Sequence, residues 1–190
     1  MTDSHTETKS GEEISAMLPI RMTSRVVRGF GRGSADLGIP TANLDPSQLV
    51  MHLVPTRQPL TSLPDLPCGI YWGFCRIGGS GHVYTAAVSI GYNPTYGNDQ
   101  KTIEPHLIAP ESDPRRHASC SGETVLQDFY EQPVRLSVVG YLRPELPFEG
   151  LDKLVEAIKK DIVNSVRLGQ AEGVTESGEY DWVESSDQLV

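Results

Sequence analysis

Three short stretches of this chain combine residue types and spacings that can do chemistry. The first is GFGRGSADLGIPTAN, residues 29–43. Gly29, Gly31 and Gly33 permit left-handed backbone and close approach to a ligand, so successive N–H groups can form a nest for an anion. A surface turn is the plainer meaning of glycines alone. The stretch carries neither the Gly-Lys-Ser/Thr of a Walker loop nor a G-x-G-x-x-G fingerprint. Thr41 and Asn43 sharpen it: if Pro40–Leu44 is extended, residues two apart face the same side. A hydroxyl and an amide oxygen then converge, and such neutral, hard oxygens suit Mg²⁺ held mainly by phosphates and water. The competing reading is a Thr and an Asn that cap a loop.

The second stretch, SIGYNPTYGNDQKTIEPHL (89–107), contains Glu104 in a short run flanked by apolar residues. In a strand, Glu104 points opposite to Ile103 and Pro105. A carboxylate aimed into a cleft can accept a proton from a substrate hydroxyl; an exposed edge-strand glutamate is the ordinary alternative. His106 is read here as a partner for its neighbours, without a role of its own. The third stretch is GYLRPELPFEGLDKL (140–154). On spacing alone its Arg143 is a solvated turn residue and its Phe148 a staple at a helix entry.

The elements that must position these residues are mostly strands. Met22–Arg28, Gly69–Ile77, His82–Ile90, Thr102–Ile108 and Pro133–Leu142 are β-rich runs, and the glycine turn between the second and third predicts a hairpin. Asp45–Pro67, with five prolines, and Ala109–Thr124 read as long surface loops. Leu151, Leu154, Val155, Ile158, Ile162 and Val166 recur at spacings of three and four, which predicts one helix. Many short strands followed by a helix suggest a closed or nearly closed antiparallel barrel capped by that helix, with a sandwich as the alternative. Residues 1–19 and 171–190 are polar or acidic and aperiodic. They predict a disordered N-terminal tail and an acidic C-terminal tail around one domain at 20–170.

Bulk properties narrow the function. A net charge of −9 over 190 residues argues against nucleic-acid binding, which needs Lys and Arg to replace phosphate counterions. It leaves room for a nucleotide that arrives with its own Mg²⁺. Cys68, Cys75 and Cys120 have no zinc-ribbon spacing, and the five histidines show no ligand pattern. No apolar run approaches a membrane span, and residues 1–20 lack signal-peptide character. These readings predict a cytoplasmic protein with no membrane or nucleic-acid partner.

Taken together, four blocks in order resemble the flavokinase family, of the monofunctional eukaryotic type. VVRGFGRGSADLGIPTANL resembles its G-F-G-R-G-S-K-x-L-G-I-P-T-A-N block, and GIYWGF its G-I-Y-x-G strand. SIGYNPTYGN with TIEPHL resembles S-I-G-W-N-P…x-E-x-H-I. DFYEQPVRLSVVGYLRPELPF resembles D-F-Y-G-x-x-L…G-Y-L-R-P-E-x-x-F. The resemblance implies a six-stranded antiparallel Greek-key barrel with a C-terminal helix. It implies ATP-dependent phosphorylation of riboflavin at the ribityl 5′-hydroxyl, giving FMN and ADP; a monomer is expected, though the sequence itself does not give the oligomeric state. Mg²⁺ would be the metal, with Zn²⁺ or Mn²⁺ as substitutes.

By position, Thr41 and Asn43 would hold Mg²⁺ and ATP phosphate, Gly29, Arg32 and Gly33 would cover the nucleotide, and Leu107 and Tyr130 would lie near it. Glu104 would be the base, and Arg143, Leu146 and Phe148 would face the flavin. The chain departs from the pattern at Ala35, where the family has a Lys, at Ala109, where relatives often carry a nucleotide-contacting His, and at Leu146, a flavin-side Lys in relatives. The Ala109–Thr124 stretch is longer than the family leads one to expect. There is no H-x-G-H signature for a second, adenylylating activity.

Overall fold

A computed structural model of the chain describes residues 10–28, 41–55, 63–78, 82–92, 101–110, 130–171, 173–174 and 178–185. Helix α1 (Gly11–Met17) leads into strand β1 (Ile20–Val27). Strands β2 (Asn43–Leu44), β3 (Val50–His52), β4 (Gly69–Ile77), β5 (Tyr84–Tyr92), β6 (Lys101–Ile108) and β7 (Pro133–Arg143) follow, then helices α2 (Leu151–Gly169) and α3 (Glu179–Glu184).

The sheet runs β2-β1-β7-β4-β5-β6, with every pairing antiparallel, and β3 joins the same edge of β1 as β2. Asn43 and Leu44 pair with the end of β1, and Val50–His52 with its start. The short 3₁₀ turn Pro46–Gln48 lies between them, capped by the Asp45 carboxylate on the Ser47 amide. β2 and β3 are therefore one barrel strand broken in the middle, and the barrel has six strands. The two ends of the sheet meet where Thr41 bridges His106 and the Ala42 amide donates to the Pro105 carbonyl at 3.0 Å. This seam nearly closes the barrel, and β7 returns between β1 and β4, as the expected Greek-key connection requires.

Strand burial follows from sequence pattern. β1 and β6 alternate buried and half-buried residues, because only one face is covered. β4 (GIYWGFCRI) is apolar almost throughout and is buried on both faces. Its inner residues Tyr71, Cys75 and Ile77 join Met22, Val26, Val88, Ile90, Ile103, Leu107, Leu136 and Val138 inside the barrel. Each such side chain removed from water contributes about 1.5–3 kcal/mol. The outer residues Trp72 and Phe74 form a second cluster with Leu168, Tyr180, Trp182 and Val183, beneath α2 and α3. Gly73 sits at a shift of register between β4 and β7, where a Cβ would run into the Ser137 backbone.

The structure corrects two expectations about the ends of the chain. Residues 10–19 are not a bare tail: Ser10 and Glu13 form a reciprocal capping box on α1, and Ile14 and Leu18 are buried. The signal was Ser-x-x-Glu ahead of apolar residues, worth about 1 kcal/mol of helix stability. Residues 178–185 likewise pack on the barrel. Glu179 is 2 % exposed and takes Arg21 in a two-pronged ion pair (3.0 and 2.9 Å) and the Ser137 hydroxyl at 2.6 Å. Arg135 donates to the Trp182 carbonyl at 2.6 Å and stacks on its ring at 4.2 Å. The supposed loop 45–67 also contains β3 and two 3₁₀ turns among its described residues. Lys101, buried at the start of β6, anchors that passage by donating to the carbonyls of Pro64 (2.8 Å) and Leu66. No helix is long and apolar enough to cross a membrane among the described residues.

Candidate active site

The barrel seam and the outer face of β6 bring most of the expected residues into one region. Ala42 and Leu44 turn into the core, so Thr41 and Asn43, half-buried, share the other side of the strand. Thr41 Oγ1 lies 2.8 Å from His106 Nδ1. On β6, Ile103, Pro105 and Leu107 point inward, and Thr102, Glu104 and His106 point outward. Glu104 pairs with Ser89 across β5, and His106 with Ala87.

Beside His106 opens a cavity of about 210 Å³ between the sheet and α2, lined by Ile70, Ser89, Arg143, Leu146, Phe148 and Asp161 among others. The three residues expected on the flavin side thus share one wall. Arg143 ends β7 and reaches Asp161 of α2 by Nε to Oδ1 (3.0 Å) and Nη2 to Oδ2 (2.6 Å). Its guanidinium stands 5.6 Å from the centre of the Phe148 ring. Leu146 is 52 % exposed and lines the same cavity.

Electrostatics differ along this face. Burial raises the Glu104 carboxyl above its usual range, and the Thr102 hydroxyl opposes this by hydrogen bonding. Burial also raises the Glu145 carboxyl, helped by Glu104 nearby. Burial pushes the His106 imidazole down to about 4, against a smaller upward pull from Asp161, so the ring is neutral at physiological pH.

Two residues expected near the nucleotide differ in exposure. The Leu107 side chain is 2 % exposed inside the barrel, so only its backbone can meet a ligand. Tyr130 is exposed, with the Arg28 guanidinium 4.7 Å from its ring centre, next to the end of β1 where Val27 pairs with Asn43. Gly29, Arg32, Gly33 and Ala35 lie outside the described residues. Among the described residues there is no cluster of three His, Cys, Asp or Glu suited to a metal. The donors at the seam are neutral oxygens, which fit a hard cation delivered with phosphates and do not fit a resident Zn²⁺.

Sequence reasoning gave His106 no role and passed over Asp161. Asp161 had a signal: with Leu154, Ile158 and Ser165 it falls at helical spacing on one stripe, so a charge sits on the apolar face of α2. Asp161 and Ser165 are both buried.

The chain is similar to known proteins in sequence and in fold. The family model described as "Flavokinase: Riboflavin kinase" matches residues 16–168. Riboflavin kinase from Aspergillus niger is 40% identical over 153 residues, covering 75% of this chain and 66% of that protein. The mouse riboflavin kinase is 42% identical over 145 residues, covering 76% of this chain and 77% of its own. The crystal structure of riboflavin kinase from Trypanosoma brucei has the same fold, with a TM-score of 0.56 at 20% identity and 90% of each chain covered. The chain belongs to the riboflavin kinase family.

Proposed function

We propose that this chain transfers the γ-phosphoryl group of ATP to the 5′-hydroxyl of riboflavin, with Glu104 as the base. Family membership makes it a phosphotransferase acting on an alcohol. The observation that carries the assignment of parts is the position of Glu104. It is a half-buried carboxylate on the outer face of β6, two residues from His106. The His106 ring lines the cavity of Arg143 and Phe148, and its Nδ1 meets Thr41.

Phosphoryl transfer asks for positioning and charge stabilisation more than for covalent help from the protein. Thr41 and Asn43 would hold Mg²⁺, which when bound offsets charge on the ATP phosphates. Backbone N–H groups around Gly29 and Gly33, with Arg32, would hold those phosphates. Phe148 and Leu146 offer apolar surface to the isoalloxazine ring, and Arg143 a cation at its edge. Glu104 accepts the hydroxyl proton as the oxygen attacks, and its raised pKa brings it closer to the working pH of a base. A barrel that binds single-stranded nucleic acid is disfavoured by the net charge of −9. Incubation of the full chain with riboflavin, ATP and Mg²⁺, followed by chromatography, is expected to yield FMN. Folded protein that makes none under those conditions would overturn the reading.

A further inference from the structure

We propose that His106 is a positioning residue for the metal–nucleotide side of the reaction, acting through the Thr41 hydroxyl. The inference rests on the reading of Thr41 as a metal ligand.

Three observations converge on it. Thr41 and His106 form the β-bridge that joins the two ends of the sheet, so their backbones are fixed against each other. The Ala42 amide to the Pro105 carbonyl repeats that lock one residue along. The side chains then meet at 2.8 Å through Nδ1, the ring nitrogen nearer the backbone. We assign Nδ1 the acceptor role in this contact, which turns the threonine proton toward the ring and its lone pairs away from it. Those lone pairs are what a hard cation needs, and a proton pointed at the cation would oppose binding. Loss of that acceptor removes one of the contacts that orient the hydroxyl before the cation binds. The His106 side chain also lines the cavity with Arg143, Phe148 and Asp161. His106 thus touches the seam through a hydrogen bond and also lines that cavity.

The geometry separates His106 from a residue that only fills space. Asparagine places an amide where Nδ1 now sits, and glutamine places it near Nε2 instead. Full-length wild type, His106→Asn, His106→Gln, His106→Leu, Thr41→Val and the His106→Leu/Thr41→Val double variant would be titrated with Mn²⁺ and ADP. Bound Mn²⁺ would be followed by its electron spin resonance signal, and riboflavin affinity by fluorescence quenching.

His106→Leu and His106→Gln are expected to weaken Mn²⁺–ADP binding about five- to tenfold, the scale of one lost hydrogen bond. Thr41→Val should lose at least as much. The double variant should be no weaker than Thr41→Val alone, and His106→Asn should stay within about twofold of wild type. Riboflavin affinity should change by less than about threefold in His106→Gln. If Thr41→Val weakens Mn²⁺–ADP binding and His106→Leu does not, the inference about His106 fails and the reading of Thr41 stands. If Thr41→Val leaves binding unchanged, that reading fails and the inference goes with it. Should His106→Leu not fold, the asparagine and glutamine variants decide: equal affinities in the two overturn the proposal.

Discussion

Asp161 of α2 holds the Arg143 guanidinium at the end of β7 with two parallel hydrogen bonds, of 3.0 and 2.6 Å, across the mouth of the cavity beneath the helix. The carboxylate is 5 % exposed, so this pair is mostly removed from water. It fixes the distance between helix and sheet and keeps the Arg143 charge beside Phe148.

Asp161→Asn leaves Arg143 partly buried without its counter-charge. Breaking one side of a buried pair costs about 3–5 kcal/mol, and the remaining solvent access of Arg143 places this one at the low end. A lower melting temperature and a riboflavin affinity weaker by about tenfold are expected, the latter from a freed Arg143. Melting and fluorescence quenching on the same variant check both. An unchanged riboflavin affinity in the folded variant would separate Arg143 from the flavin side.

Truncation after Gln170 removes α3 and with it Glu179, Trp182 and Val183. Arg21 would lose its partner, Ser137 its acceptor, and Trp72 and Phe74 part of their cover. A buried acid with a two-pronged arginine is worth about 3–5 kcal/mol once broken, before the apolar loss is added. The expected result is a large fall in melting temperature, with Glu179→Ala giving a substantial part of it. A truncated chain that melts like the full one would return the segment to a dispensable tail.

The barrel and its capping helix were legible because their signals are local. Alternation marked β1 and β6, an unbroken apolar run marked β4, and the stripe from Leu154 to Val166 marked α2. The seam was not legible, since Thr41 and His106 meet across 65 residues and nothing in either segment names the other. α3 escaped for a related reason. It is a six-residue helix with an acidic first turn, and its place is set by Arg21, Ser137 and Arg135 on distant strands. Its composition resembles a solvated tail, but tertiary ion pairs hold it. Glu104 and Arg143 were singled out by the family resemblance, since spacing alone left an edge-strand glutamate and a solvated turn residue. His106 and Asp161, whose partners Thr41 and Arg143 lie on other elements, were not.

Asn43→Ala removes one hard oxygen beside Thr41. Phosphoryl transfer should fall by about tenfold or more and recover partly at high Mg²⁺, because such sites keep few protein ligands. Riboflavin quenching should be nearly unchanged. A Mg²⁺ dependence identical to wild type would remove Asn43 from the metal.

The pH profile should carry the mark of Glu104. Its carboxyl is raised by burial, with the Thr102 hydroxyl opposing, and Glu145 is the nearby acid. A base must be ionised, so kcat should fall on acidification at a pH above the ordinary glutamate value of about 4.3. The stability term runs the other way. A raised folded pKa favours the fold fully below the unfolded value, and that advantage is lost as pH rises through the folded one. At neutral pH the ionised carboxylate is therefore a cost to the fold, and Glu104→Gln should melt at or above the wild-type temperature. A variant that melts lower would make Glu104 a structural acid.

The most direct test is kcat of Glu104→Gln with saturating riboflavin and Mg-ATP. Glutamine keeps the shape and one acceptor oxygen but cannot take a proton at neutral pH. If Glu104 is the base, kcat falls by about 10²–10⁴ while both substrates bind nearly as before, because the proton moves only as the transition state forms. A loose transition state would set the loss toward the lower figure. A kcat near that of wild type, in a variant that is folded and binds both substrates, would contradict the account.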